Sequence, residues 1–229
     1  MRRVFEEELN DLHIRFFQMG KGVNEAVYKS VKAFVNHDKE LAKEVIIGDR
    51  VINKYEVDLE NRCFELIALQ QPVTTDLRKI VTIMKASADL ERMGDHAVSI
   101  AKSTIRVKGN KRDYEIEAQI AEMSEKVKVM VQDVLDAYVV SDADKAEKVA
   151  LSDVAVDDDF RKIYQACIKQ MKADPEIVLG ASDYMLVAGF IERIGDYVTN
   201  ICEWIIYLDT GKMTELNTNN KNDRLFKGQ

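Results

Sequence analysis

Proline and glycine are scarce in this 229-residue chain, with two prolines, Pro72 and Pro175, and ten glycines. A β-sandwich or barrel needs turn residues every ten positions or so, and that supply is missing. Cysteine is equally sparse. Cys63, Cys167 and Cys202 are odd in number, far apart and free of any CxxC pair. They read as small apolar residues of a reducing compartment, not as a disulfide framework or zinc site. No stretch reaches the ~18 charge-free apolar residues of a spanning helix, and the start, MRRVFEEELNDL, lacks the apolar segment of a secretory signal. A basic block is absent as well. Lys and Arg total 33 against 40 Asp and Glu, a net charge of −7, which disfavours nucleic acid because phosphate neutralisation supplies most of that affinity. Also missing are a Gly-rich phosphate loop, HExxH, GxSxG and the Glu-x-x-His pairs of di-iron bundles. The expectation is a soluble cytoplasmic protein that meets a membrane only through a partner.

What the chain does have is helical periodicity nearly everywhere. From Asp38 to Gln70 the apolar line runs Leu41, Val45, Gly48, Ile52, Tyr55, Leu59, in alternating steps of four and three, the spacing of a helix packed nearly parallel to its neighbours. Unbroken, that helix spans about 50 Å at ~1.5 Å per residue, which implies elongated bundles. Breaks fall at Asn36-His37-Asp38, Gln71-Pro72, Lys108-Gly109-Asn110-Lys111, Ser141-Asp142, Ala173-Asp174-Pro175 and Thr210-Gly211. They predict six helices near 3–35, 39–70, 75–107, 112–140, 143–173 and 177–209. Asp38 is a candidate cap for the second helix, and Thr74 or Thr75 for the third. Residues 212–229, rich in Asn and Lys, read as a loose tail.

The chain also repeats itself. A shift of 104 places Met19, Val23, Val27, Val31, Phe34, Asp38, Ala42, Val45 and Asp49 on Met123, Val127, Val131, Leu135, Tyr138, Asp142, Ala146, Val149 and Asp153. A shift of 101 places Glu91-Arg92-Met93-Gly94-Asp95 on Glu192-Arg193-Ile194-Gly195-Asp196. Any two amphipathic helices align at some offset, but a shared Glu-Arg-x-Gly-Asp is a much rarer coincidence. The fold class is therefore all-α, two tandem three-helix bundles related by a pseudo-two-fold repeat. Residues 1–109 form the first bundle and 110–211 the second.

Each copy carries acids four apart on its second helix, Asp49/Asn53 (the latter an amide) and Asp153/Asp157, and on its third, Glu91/Asp95 and Glu192/Asp196. Such pairs share one helix face. A lone pair of this kind is ordinary solvated surface, and Glu91 and Asp95 lie opposite the apolar arc Ile83, Leu90, Met93, Ala97, Ile100. Against that, like charges at this spacing cost a helix roughly 0.2–0.5 kcal/mol each, and Gly94, Gly189 and Gly195 each cost about 1 kcal/mol relative to alanine. Antiparallel neighbours bring the two pairs of a copy together, and four clustered carboxyls either raise their pKa values or hold a cation. All-oxygen ligands suit Mg²⁺, Mn²⁺, Ca²⁺ or oxidised iron over zinc or copper. Because the acids avoid the apolar arc, such a site is expected on the bundle surface. His96 reads as a helix-face histidine, since its counterpart is Tyr197 and it points about 100° from Asp95. Asp58, Glu60 and Asp157-Asp158-Asp159 read as solvated charge runs, Met84, Met93 and Met185 as core, and Trp204 and Tyr207 as packing at the bundle end.

Leu90 to Ala97 with Ile100-Ala101, the run Ala68 to Arg78 (ALQQPVTTDLR), and ERIGDYVTNICEWIIYLDTGK at 192–212 resemble the PhoU family, accessory proteins of the high-affinity phosphate transport system. The resemblance covers about residues 5–212. It implies two three-helix bundles, surface multinuclear metal clusters at the acidic motifs, and negative regulation of phosphate uptake and of the phosphate-starvation response. Its implied partners are the ATPase subunit of the phosphate ABC transporter and a PhoR-type sensor histidine kinase; a homodimer is compatible with it. The family's acidic pattern falls on Glu91 and Asp95, Glu192 and Asp196, and Asp153 and Asp157. At the fourth place Asp49 is followed by Asn53 where the pattern has Asp, which makes the first copy the weaker site. The implied cofactors are oxygen-ligated metal ions, iron, manganese, magnesium or zinc, with no catalytic residues. Two other classes compete: a metal-dependent hydrolase or phosphatase whose carboxylates activate water, and a plain scaffold. Metal content separates the scaffold from the others, and turnover separates the enzyme from the regulator.

Overall fold

The computed structural model describes residues 2–106 and 111–216. Six helices account for nearly all of them: α1 (Arg2–Asn36), α2 (Lys39–Gln70), α3 (Thr74–Arg106), α4 (Tyr114–Val140), α5 (Ala143–Ala173) and α6 (Val178–Thr210). A 3-10 turn, Pro175–Ile177, leads into α6, and there is no strand among the described residues. Helices α1, α2 and α3 pack on one another, as do α4, α5 and α6. The two bundles then join where α1 lies on α4 and α3 on α6, so that their buried residues form one continuous core. The expected division near residues 108–112 falls largely on 107–110, outside the described residues, as do residues 217–229 of the expected tail. The start of that tail is not loose. Leu216 packs against the core, and its N–H donates to the Glu203 carboxylate at 2.8 Å.

The repeat is visible in the backbone of the turns. After α1, His37 takes a left-handed conformation (φ 55°) and Asp38 N–H bonds Ala33 C=O at 2.8 Å. After α4, Ser141 does the same (φ 53°), and Asp142 N–H bonds Ala137 C=O at 2.9 Å. Both turns satisfy the last carbonyls of one helix while starting the next. Asp38 then caps α2 through the N–H groups of Glu40 and Leu41, and Asp142 caps α5 through that of Lys145. A cap of this kind stabilises its helix by about 1 kcal/mol. Asp113, unforeseen as a cap, starts α4 two residues later than the periodicity predicts, at Tyr114. Thr74 opens α3 with φ 40°.

A buried charge ties the halves together. Glu117 on α4 is 2% exposed and accepts from Arg112 Nε at 3.0 Å, from the Tyr184 hydroxyl at 2.7 Å and from His37 Nε2 at 3.2 Å. Arg112 also donates to Val35 C=O at 2.8 Å. One carboxylate thus connects the α1–α2 turn, α4 and α6, and its donors hold its pKa below the usual range against the opposing effect of burial. On the other seam, Asp89 of α3 accepts from Trp204 Nε1 at 3.1 Å and Asn200 Nδ2 at 3.4 Å, both on α6. Trp204 therefore latches the two bundles together, besides meeting Tyr207 edge-on.

Glu117→Ala leaves the Arg112 guanidinium without its carboxylate, so urea denaturation should show a loss of about 3 kcal/mol. Tyr184→Phe, which deletes one donor to a charged group, should cost roughly 2 kcal/mol. Burial pushes the Asp89 carboxyl up to about 6, with the Asn200 and Trp204 donors opposing. Its penalty to the folded state is thus absent below its ordinary 3.8 and fully developed above about 6. Emission of Trp204, the sole tryptophan in the sequence, should titrate near that pH, and Asp89→Asn should flatten the curve.

Candidate metal centre

Two glycines explain how acids come to lie between helices. A Cβ built on Gly195 of α6 would stand 2.5 Å from Asp153 Oδ1 of α5. On Gly94 of α3 it would stand 3.4 Å from Asp49 Oδ1 of α2 and 3.3 Å from Ile52 Cγ2. The helix-interior glycine of each Glu-Arg-x-Gly-Asp motif is the notch into which the carboxylate of the neighbouring helix fits, a close approach that only a missing side chain permits. Gly189 is different: a Cβ there would meet Phe160 at an ordinary 3.8 Å.

The notch draws one acid of each copy toward the seam between helices. Asp153 is 2% exposed, between the buried Val149 and Val156. Asp49 is half-buried between Val45 and Ile52, whereas Gly48, placed in the apolar line by its spacing, faces solvent. The seam of α2 runs Val45, Asp49, Ile52, and that of α5 runs Val149, Asp153, Val156. The remaining acids, Asp157, Glu91, Asp95, Glu192 and Asp196, are half-buried.

In the first copy the four predicted residues come together. Asn53 Nδ2 donates to Asp49 Oδ2 at 3.1 Å. Burial raises the Asp49 carboxyl, and the charge on Asp95 raises it further, with the Asn53 amide opposing. Glu91 is raised by burial first, then by Asp95, Glu56 and Asp49, against Arg92. Arg92 folds back on its own helix, 3.3 Å from Asp95 and 3.7 Å from Glu91, so a guanidinium faces these two acids. Glu56 belongs to the cluster and was not foreseen. It lies seven residues beyond Asp49, two turns along the same face, a signal the sequence contained. In the second copy, the Gly195 notch brings Asp153 of α5 against α6 in the motif that bears Glu192 and Asp196, and Asp157 follows Asp153 one turn later.

Among the described residues, no three His, Cys, Asp or Glu side chains stand in an arrangement that holds a metal as they are. The donor set nevertheless fits a hard cation. Asp49 Oδ1 and Asn53 Oδ1 are buried acceptors with no hydrogen-bond partner, and a buried oxygen without a donor is costly unless a cation reaches it. Arg92 is 62% exposed, so it can swing clear of Glu91 and Asp95.

Cys63, Cys167 and Cys202 are buried, and burial pushes the thiols of Cys63 and Cys167 up to about 12. His96 stacks on Phe190 at 5.7 Å and touches Tyr197, its repeat counterpart, on the α3–α6 seam. Burial, then Arg193, lower its pKa. The supposed charge runs are partly structural: Asp58 pairs with Arg15 and Arg62, and Asp159 with Lys126 and Lys162.

Fold and site define an all-helical tandem-repeat protein whose two copies each notch a helix with glycine to seat an acid. A family model described as the PhoU domain matches residues 16–104 and again 120–205. The chain belongs to the PhoU family. It is 40% identical over 217 residues to a phosphate-specific transport system accessory protein PhoU homolog of Clostridium acetobutylicum, covering 94% of this chain and 99% of that one. To the Escherichia coli protein of that description without the qualifier, it is 31% identical over 225 residues, covering 98% and 93%. The crystal structure of the phosphate transport system regulatory protein PhoU from Streptococcus pneumoniae superposes with a TM-score of 0.87 at 35% identity, covering 93% of this chain and all of that one. PhoU from Pseudomonas aeruginosa gives 0.85 at 33% identity, covering 91% of this chain and all of that one.

The notch distances separate two otherwise identical substitutions. Gly195→Ala forces the buried Asp153 to move and should cost about 1–3 kcal/mol in chemical denaturation of metal-free protein. Gly94→Ala needs only a slight adjustment, offset by the ~1 kcal/mol that alanine gains in a helix, and should lie within about 1 kcal/mol of the parent.

Proposed function

We propose that the protein restrains phosphate uptake and the phosphate-starvation response by contact, not by catalysis. Its proposed partners are the ATPase subunit of the phosphate ABC transporter and a PhoR-type sensor kinase. The observation that carries this reading is the match to accessory proteins of the phosphate transport system over almost the whole of both chains, with both repeats included. No described helix is long and apolar enough to cross a membrane, so on this reading the transporter recruits the protein. The relatives are named as accessory proteins, and among the described residues the cysteines are buried and His96 is stacked on Phe190, which favours a regulator over a hydrolase.

The metal belongs to the same proposal. Asp153, Asp157, Glu192 and Asp196 hold an oxygen-ligated cation, iron, manganese, magnesium or zinc, and Asp49, Asn53, Glu91 and Asp95 form a weaker copy. Asn53 supplies an oxygen but one charge fewer than an aspartate, which makes the first copy the weaker one. A bound ion relieves the carboxylate repulsion and fixes the groove faces that partners meet.

Asp196→Asn should lower the metal content of protein purified without chelator, while the metal-free form stays folded; elemental analysis showing no metal in either protein sinks the metal proposal. In cells, deletion should leave phosphate import running when phosphate is plentiful, with over-accumulation of phosphate. Normal regulation in the deletion strain contradicts the regulator reading. Hydrolysis of phosphate esters, abolished by Asp95→Ala with Asp196→Ala, establishes the enzyme instead.

A further inference from the structure

Helices α1 and α2 leave an open groove near the start of α1 and the end of α2. Its volume is about 430 Å³, and its lining includes Val4, Glu8, Leu12, Glu65, Leu66 and Leu69. Leu12 and Leu66 form a floor that belongs to the core, at 1% and 4% exposure, whereas Val4 and Leu69 stand on the rim at 49% and 69%. Glu7 and Asp11 also line it, and Arg62 is the basic residue among its described lining side chains. That arginine is already engaged by Asp11 and Asp58. Glu8 and Glu65 are exposed and have no ion pair among the described residues. The groove therefore combines an apolar floor, apolar rims and, at Glu8 of α1 and Glu65 of α2, one exposed carboxylate from each helix.

We propose that this groove seats a short amphipathic helix bearing Lys and Arg on both flanks of an apolar stripe, supplied by a transporter's cytoplasmic face. The proposal rests on the reading above that the protein acts by contact with a transporter. Three helices leave such a groove in the place that a fourth occupies in a four-helix bundle. The wall from Val4 to Leu12 runs about 12 Å at ~1.5 Å per residue, room for roughly two turns whose i, i+3, i+4 and i+7 side chains meet the floor and rims. Charge selects the occupant. Cytoplasmic segments of membrane proteins carry an excess of Lys and Arg, which the acidic walls attract. A bare anionic lipid surface is repelled by the same walls, and a second copy of this chain, at −7 net charge, is disfavoured.

The test uses the full-length protein and fluorescence anisotropy. The probe is a fluorescein-labelled synthetic helix with leucines at i, i+3, i+4 and i+7 flanked by lysines; its mirror has glutamates in place of the lysines. The lysine helix should bind, and Glu8→Lys with Glu65→Lys should weaken it about tenfold while allowing the glutamate helix to bind. Glu44→Lys with Glu147→Lys, exposed positions remote from the groove, makes the same change in net charge and should shift affinity less than twofold. Leu69→Ser, on the rim, should weaken binding without altering any charge and serves if the double reversal fails to fold. No binding, equal effects of the two double reversals, or self-association that tracks Glu8 and Glu65 would overturn the proposal. Such a result leaves the regulatory reading standing, because that reading is decided by phosphate accumulation in the deletion strain.

Discussion

The structure depends on a carboxylate held in a helix–helix seam where an apolar side chain belongs. Asp153 and Asp49 occupy core-facing positions of α5 and α2, each against a glycine of the adjacent helix. Burying a carboxylate is costly unless donors or a cation meet it, and a helix-interior glycine adds about 1 kcal/mol more. A protein with no use for such positions would fill them with valine and alanine and be more stable. That both copies keep acid and glycine together is the physical case for a site.

The two copies are not equivalent. In the second, Asp153 is almost fully enclosed and a Cβ on Gly195 has no room. In the first, Asn53 replaces an acid and donates to Asp49, and Arg92 supplies a counter-charge from the same helix. The bundles that bear these sites are fixed to one another on both sides, by the Glu117 network beside α1 and α4 and by the Asp89–Trp204 contact between α3 and α6. A change at one acidic groove therefore acts on a single connected core and not on a free half.

Much of this was legible in the sequence, and the rest has identifiable reasons for being hidden. Helix ends came from local chemistry: the breaks at Asn36-His37-Asp38 and Ser141-Asp142 fall where α1 and α4 end, and Asp38 caps α2 as expected. The Asp142 cap and the left-handed His37 and Ser141 emerge only in the structure. The repeat came from the shared Glu-Arg-x-Gly-Asp. The placement of Asp49 did not, because a four-three pattern of hydrophobic residues assigns the seam to Gly48, one position away. A helix wheel has no way of weighing a glycine on a different helix. Glu117 was invisible for a similar reason: its partners His37, Arg112 and Tyr184 come from three separate parts of the chain. Glu56, by contrast, could have been found by extending the same face two turns.

The glycine-notched acidic seams are the proposed cation sites, with the second copy the stronger. Hydrogen exchange of metal-stripped protein, before and after adding Mn²⁺ or Fe³⁺, tests this most directly. Exchange should slow in the segments around Asp153–Asp157 and Glu192–Asp196 at the lower metal concentration, and around Asp49–Asn53 and Glu91–Asp95 only at a higher one. Unchanged exchange in all four segments, or protection confined to other helices, would contradict the proposal.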